Sequence, residues 1–167
     1  DYTPGVFQLN NFRYDSPETK NIDKGAIVPS TIGKELALYV VYYSPMQMAA
    51  DLPKHYSKHM DAFAFIKNVP VDWSERKILN SEFREYVSMA RKDKYSENWY
   101  VGGITNENER DLKIDFSFLE SGKEYTMKMY LDTQNTHWKE NPMEDQITER
   151  EVSSNDNIDI YLAPGGG

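Results

Sequence analysis

The residues that could do chemistry are few, and each has an ordinary reading beside the chemical one. His55 and His59 stand four apart, the spacing at which two imidazoles share one helix face and can hold one metal ion. No glutamate follows His55, as a zinc peptidase would require, and Lys54 and Lys58 are its neighbours. The default is an exposed helix face. Asp51 closes the small-residue run 46–50. If that run is a parallel strand of a barrel, Asp51 leaves its C-terminal end, where such barrels keep their active sites. An aspartate there can equally cap a turn or the next helix, and both readings stay open. Asp1 and Tyr2, ahead of Pro4 and Gly5, are further pocket-wall candidates, with an ordinary turn as the alternative. Trp99, Tyr100, Tyr130 and Trp138 could form a stacking platform for sugar rings, although tryptophans in a β-rich region more often belong to the core. The acidic stretch 106–111 lacks EF-hand spacing and reads as a solvated hairpin rather than a calcium loop. His137 reads as a solvated loop residue.

The elements that must carry these groups centre on residues 30–51. Ser30 or Thr31 can cap a helix, Glu35 falls near its start, and Ile32, Leu36, Val40 and Tyr43 recur at helical spacing. Residues 36–43 have no polar face, so the helix must lie inside a larger body. Pro45 ends it. Residues 46–50 then read as a buried strand and residues 53–68 as a second helix. Residues 1–29 read as a long loop rich in turn chemistry. Beyond Asp72 the period becomes two. Alternation at 86–91, 99–104, 112–118, 125–131 and 158–162, with shorter strands around Ile147 and Val152, predicts an antiparallel sandwich.

Composition narrows the classes. The 167 residues carry a formal net charge of -8, which disfavours nucleic acid and anionic membrane as partners. The charge is uneven: residues 1–71 hold 7 Lys/Arg and 7 Asp/Glu, and residues 72–167 hold 12 and 20. That shift places a domain boundary near Pro70. The absence of cysteine excludes disulfides and thiol catalysis, and the longest apolar run is too short to span a bilayer.

Longer motifs carry more. LALYVVYYSPMQMAADLP followed by HMDAFAFIKNVPVDW, with DYTPG before and WYVGGITNENER and LAPGGG after, resembles the C-terminal part of a family 97 glycoside hydrolase. These are α-glucosidase and α-galactosidase relatives common in Bacteroidetes. The resemblance implies an α/β plus all-β chain: residues 1–71 as the last portion of a (β/α)8 catalytic barrel, and residues 72–167 as a C-terminal antiparallel Greek-key β-sandwich short of its final strand. DYTPG would follow the seventh barrel strand. Residues 30–44 would be a barrel helix, 46–50 the eighth strand and 55–68 the closing helix.

The resemblance further implies that the general acid, the base or nucleophile and the glutamates that hold calcium all precede DYTPG. No catalytic or metal-binding residue is therefore carried onto this chain. Asp1, Tyr2 and Asp51 remain pocket-wall candidates, and Trp99 and Trp138 remain sugar-stacking candidates. The expectation is a periplasmic hydrolase of α-glycosidic bonds in oligosaccharides, of the α-glucosidase rather than the α-galactosidase type. Its other partners would be the rest of the barrel, an N-terminal domain and a second copy bound through the sandwich. On this view the chain is a fragment, inactive alone, whose apolar helix was sheathed by parts outside it. The alternative is a non-catalytic carbohydrate-binding or oligomerisation module.

Overall fold

The computed structural model describes residues 3–9 and 27–167. Helix α1 spans Ile32–Val41, with Thr31 as N-cap accepting a hydrogen bond from the Lys34 amide. Nine of its ten residues are buried, as an all-apolar helix demands. Its cover comes from within this chain, from strands β2 (Tyr86–Asp93), β3 (Trp99–Thr105) and β5 (Glu124–Asp132) and from helix α3 (Met60–Asn68), which corrects the expectation that partners outside the chain sheath it. Gly102 permits the closest approach: a Cβ there would sit 2.8 Å from the Ala37 carbonyl oxygen, so the helix backbone rests on strand β3.

The second predicted helix is two pieces, α2 (Pro53–Tyr56) and α3 (Met60–Asn68). The break falls at His59, whose backbone is non-helical (φ -137°, ψ 57°). Residues 46–50 form no strand, which is a second correction. A parallel strand needs neighbours on both sides; among the described residues none flanks this run, and Met46 and Met48 are exposed.

Seven strands follow: β1 (Trp73–Glu82), β2 (Tyr86–Asp93), β3 (Trp99–Thr105), β4 (Arg110–Asp115), β5 (Glu124–Asp132), β6 (Asp145–Ser153) and β7 (Asn157–Leu162). All pairings are antiparallel, in the order β1-β2-β3, β4-β7 and β5-β6. One core joins the three sheets: Ala90, Ile114, Phe116, Phe118, Leu119 and Val152, with Leu79, Trp99, Tyr125, Met127, Ile158 and Ile160 against it. The described chain is thus mostly β-strand and is built as a sandwich. A (β/α)8 barrel is not formed within it. A second core of Phe7, Ile32, Leu36, Tyr56 and Ala62 lies under the helices.

Candidate functional site

Residues 4–8 carry no ladder partner, and a backbone without one must find other acceptors and donors. It finds side chains. Glu35, completely buried on α1, accepts the Gly5 and Val6 amides on Oε2 at 2.9 and 3.1 Å. Asp51 accepts the Phe7 and Gln8 amides on Oδ2 at 2.8 and 2.7 Å. The Tyr39 hydroxyl donates toward the carbonyls of Pro4 and Met48, and the Tyr56 hydroxyl donates to the Gly5 carbonyl while accepting the Asp51 amide. Gly5 lies at φ +91° against the Tyr39 hydroxyl, where a side chain would meet both backbone strain and a clash.

Asp51 is the hub. Its second oxygen accepts the Leu52 amide at 2.7 Å and faces His55 Nδ1 at 2.5 Å, and its side chain is 3% exposed. Burial pushes its pKa up, but the His55 contact and the Leu52, Gln8 and Phe7 amides outweigh that and hold it below the usual carboxylate range. His55 is thereby turned toward Asp51, and His59 lies edge-on to Phe7; although the helix breaks between them, both line one hollow of about 280 Å³ with Phe7, Lys58 and Met143. Among the described residues no three His, Asp or Glu side chains gather as a metal site.

Asp1 and Tyr2 lie outside the described residues. The four aromatic candidates do not make one platform. Trp99 packs on Phe118 with centroids 4.9 Å apart and carries Lys77 over its ring. Tyr100, adjacent on the strand and so on its opposite face, meets Trp73 and Phe65. Tyr130 also packs on Phe65. Trp138 stacks on His137 and fills the space beside Gly165.

Sequence reasoning missed two anchors. Arg91 donates from Nη2 to the Val41 carbonyl at the C-terminus of α1, and its guanidinium lies over Tyr43 and Trp73. Asp132 accepts the Ala163 and Gly167 amides on Oδ2, while its buried Oδ1 has no hydrogen-bond partner. Burial lifts its pKa to about 6 against the Ala163 amide, the Thr31 hydroxyl, the Gly167 amide and the nearby Lys34 charge. The one warning of this kind in the sequence was Glu35, a carboxylate set among Ile32, Leu38 and Tyr39 on a helix otherwise apolar there.

A hollow of about 530 Å³ is open and polar, lined in part by Glu109, His137, Glu140, Glu144 and Tyr161. A general acid needs an apolar wall to keep its proton near neutrality, and this hollow has none. Tyr161 donates to Glu109, and burial, with that carboxylate, pushes its phenol up to about 12.

Fold and site together define a β-sandwich that grips one buried helix and, through it, two fastened loop segments. The chain belongs to glycoside hydrolase family 97, as part of its C-terminal region: the family described as "Glycosyl-hydrolase 97 C-terminal, oligomerisation" matches residues 72–167. A retaining α-galactosidase of Bacteroides thetaiotaomicron is 33% identical over 162 residues, covering 92% of this chain and 24% of that protein. Structures of a family 97 enzyme from Pseudoalteromonas sp., among them complexes with panose and with acarbose, superpose with a TM-score of 0.88 at 40% identity. They cover 99% of this chain and 25% of that one. A β-arabinopyranosidase shares the fold, with a TM-score of 0.72 at 23% identity over 93% of this chain. The chain spans about a quarter of the length of these relatives.

Proposed function

We propose that this chain is the C-terminal part of a hydrolase of α-glycosidic bonds in oligosaccharides, acting on α-glucosides in preference to α-galactosides. The supporting observation is that the likeness to the Pseudoalteromonas enzyme extends over 99% of the chain, helical segments included. That enzyme was captured with panose and acarbose, both built on glucose units, and its identity exceeds that of the α-galactosidase. Glycoside hydrolysis uses two carboxyl groups roughly 5–9 Å apart, and Asp51, itself a pocket-wall candidate, is fully engaged by donors. On this reading, and as the family resemblance implies, the acid, the base and the calcium ligands belong to the part of the longer enzyme that precedes DYTPG. The longer protein works in the periplasm, which fractionation checks.

The test is turnover of nitrophenyl α-glucoside and α-galactoside. The longer enzyme cleaves the glucoside faster, and the 167-residue chain cleaves neither. Turnover by this chain alone, or a galactoside preference in the longer one, refutes the respective part. Assembly is a second role of the sandwich, favoured by the oligomerisation description of the matched family; sedimentation of the chain as a monomer at all concentrations counts against it. Glycan binding through Trp99 and Trp138 has less support, because Trp99 packs into the core. Trp99→Ala is expected to lower stability by about 2 kcal/mol and to leave any glycan affinity unchanged.

A further inference from the structure

We propose that His55, His59 and Met143 form a binding site for a soft, monovalent metal ion, copper(I). The three side chains line one hollow of about 280 Å³, which Phe7, Gln8, Leu9 and Lys58 complete. The site is separate from glycoside hydrolysis and stands whether or not the longer protein is a hydrolase. Each donor is prepared by its surroundings. His55 turns Nδ1 to Asp51 Oδ1 at 2.5 Å, and the amides of Phe7, Gln8 and Leu52 also donate to that carboxylate. Together these contacts hold Asp51 below the usual carboxylate range. A neutral His55 therefore keeps its proton on Nδ1 and carries its free lone pair on Nε2, at the far edge of the ring. A carboxylate behind a metal-binding imidazole fixes the ring and raises its basicity.

His59 is steadied by Phe7, with ring centroids 6.1 Å apart. Met143 packs on the core of Phe7, Ile32, Leu36, Tyr56 and Ala62 and still reaches the hollow. Its unbranched thioether arm has three rotatable bonds, so it can close on an ion that the two stiffer rings hold. The donor set selects the metal. A structural zinc site takes four ligands from thiolate, imidazole and carboxylate, whereas thioether sulfur favours copper(I) and imidazole also suits copper. Charge agrees with that choice. Lys58 on the wall repels a divalent ion about twice as strongly as a monovalent one. Asp51 behind His55 and Asp145 within electrostatic reach of His59 favour a cation over an anion.

The experiment titrates the full chain with copper(I) without oxygen, in competition with a chromogenic copper(I) chelator, and follows the side chains by proton NMR. One equivalent is expected to bind. Because copper(I) is diamagnetic, the Met143 methyl and the ring protons of His55 and His59 should shift together as it does. His55→Gln and His59→Gln are each expected to weaken binding about 10-fold or more, and Met143→Leu about 3-fold or more. If a variant does not fold, the resonances that move in the wild-type chain decide. The inference is overturned by no binding, by binding that survives all three substitutions, or by a first equivalent that shifts other residues and not these. Zinc held at the same residues as tightly as copper(I) also overturns it, because the thioether would then have no part.

Discussion

Residues 3–9 and 27–71 on the one side and residues 72–167 on the other hold their backbones by different means, and two aspartates show the difference. In the first region Asp51 meets four donors and is held below the usual carboxylate range. In the second, Asp132 has two amides on one oxygen and nothing on the other, and burial lifts it to about 6. At Asp51 the donors outweigh burial, whereas at Asp132 deeper burial outweighs its donors, and that balance decides which one stays charged. The first region fastens loops with side chains on backbone groups; the second relies on strand ladders and a shared apolar core. Loops held in this way concentrate their stability in single residues, whereas ladders spread it over many.

That contrast can be broken most directly at Glu35. Glu35→Ala strips the partner from two buried amides, Gly5 and Val6, each worth about 1–3 kcal/mol when left unsatisfied. A loss of about 3–4 kcal/mol in urea unfolding is expected. A loss below about 1 kcal/mol would show that the first region is not brittle.

Asp132 comes next, and its sign is opposite to that of Asp51. Its folded pKa of about 6 lies above the ordinary 3.8. Its stabilising contribution is therefore full below about pH 4 and disappears as pH rises through about 6. Asp132→Asn, always neutral, should match wild type near about pH 4 and exceed it by up to about 3 kcal/mol near about pH 7.5. Greater destabilisation by Asp132→Asn near about pH 7.5 than near about pH 4 would mean that the site favours the anion. Asp51 behaves conversely, losing its contribution as pH falls below about 4.

Gly102→Val probes the seam between the regions. Its Cβ would meet the Ala37 carbonyl oxygen at 2.8 Å and Val40 Cβ at 2.9 Å, and overpacking of this kind costs about 1–3 kcal/mol. An unchanged melting temperature would show that α1 slides freely on β3. The smallest effect belongs to the sandwich surface. Arg110 pairs with Glu85, which is 46% exposed, and Glu85→Ala should cost less than about 0.5 kcal/mol.

Much of the sandwich was legible because alternation reports a half-buried face. Tyr125, Met127 and Met129 turn inward on β5 as their spacing requires. Strand β1 was not legible: as an edge strand it is exposed over most of its length, and WSERKILNSE carries polar residues on both faces. The Thr31 cap could be read locally. The break at His59 could not, because helical spacing of Met60 and Phe63 continues the pattern before it. Asp51 remained ambiguous between capping and pocket because its partners Phe7 and Gln8 lie more than forty positions away in sequence. Residues 46–50 were apolar enough to suggest burial, but whether a strand forms depends on neighbours that spacing does not reveal.

Helix α1 is gripped at both ends by the sandwich side. The Ile32 amide donates to the Pro142 carbonyl, Lys34 Nζ reaches the Thr105 carbonyl at 2.8 Å, and Arg91 holds Val41. With Gly102 beneath its middle, the helix has no freedom to roll or shift lengthwise by itself. It must travel with the strands as one stiff unit. Load on the strands therefore reaches residues 4–6 through this helix, by way of the Glu35 and Tyr39 bonds to them.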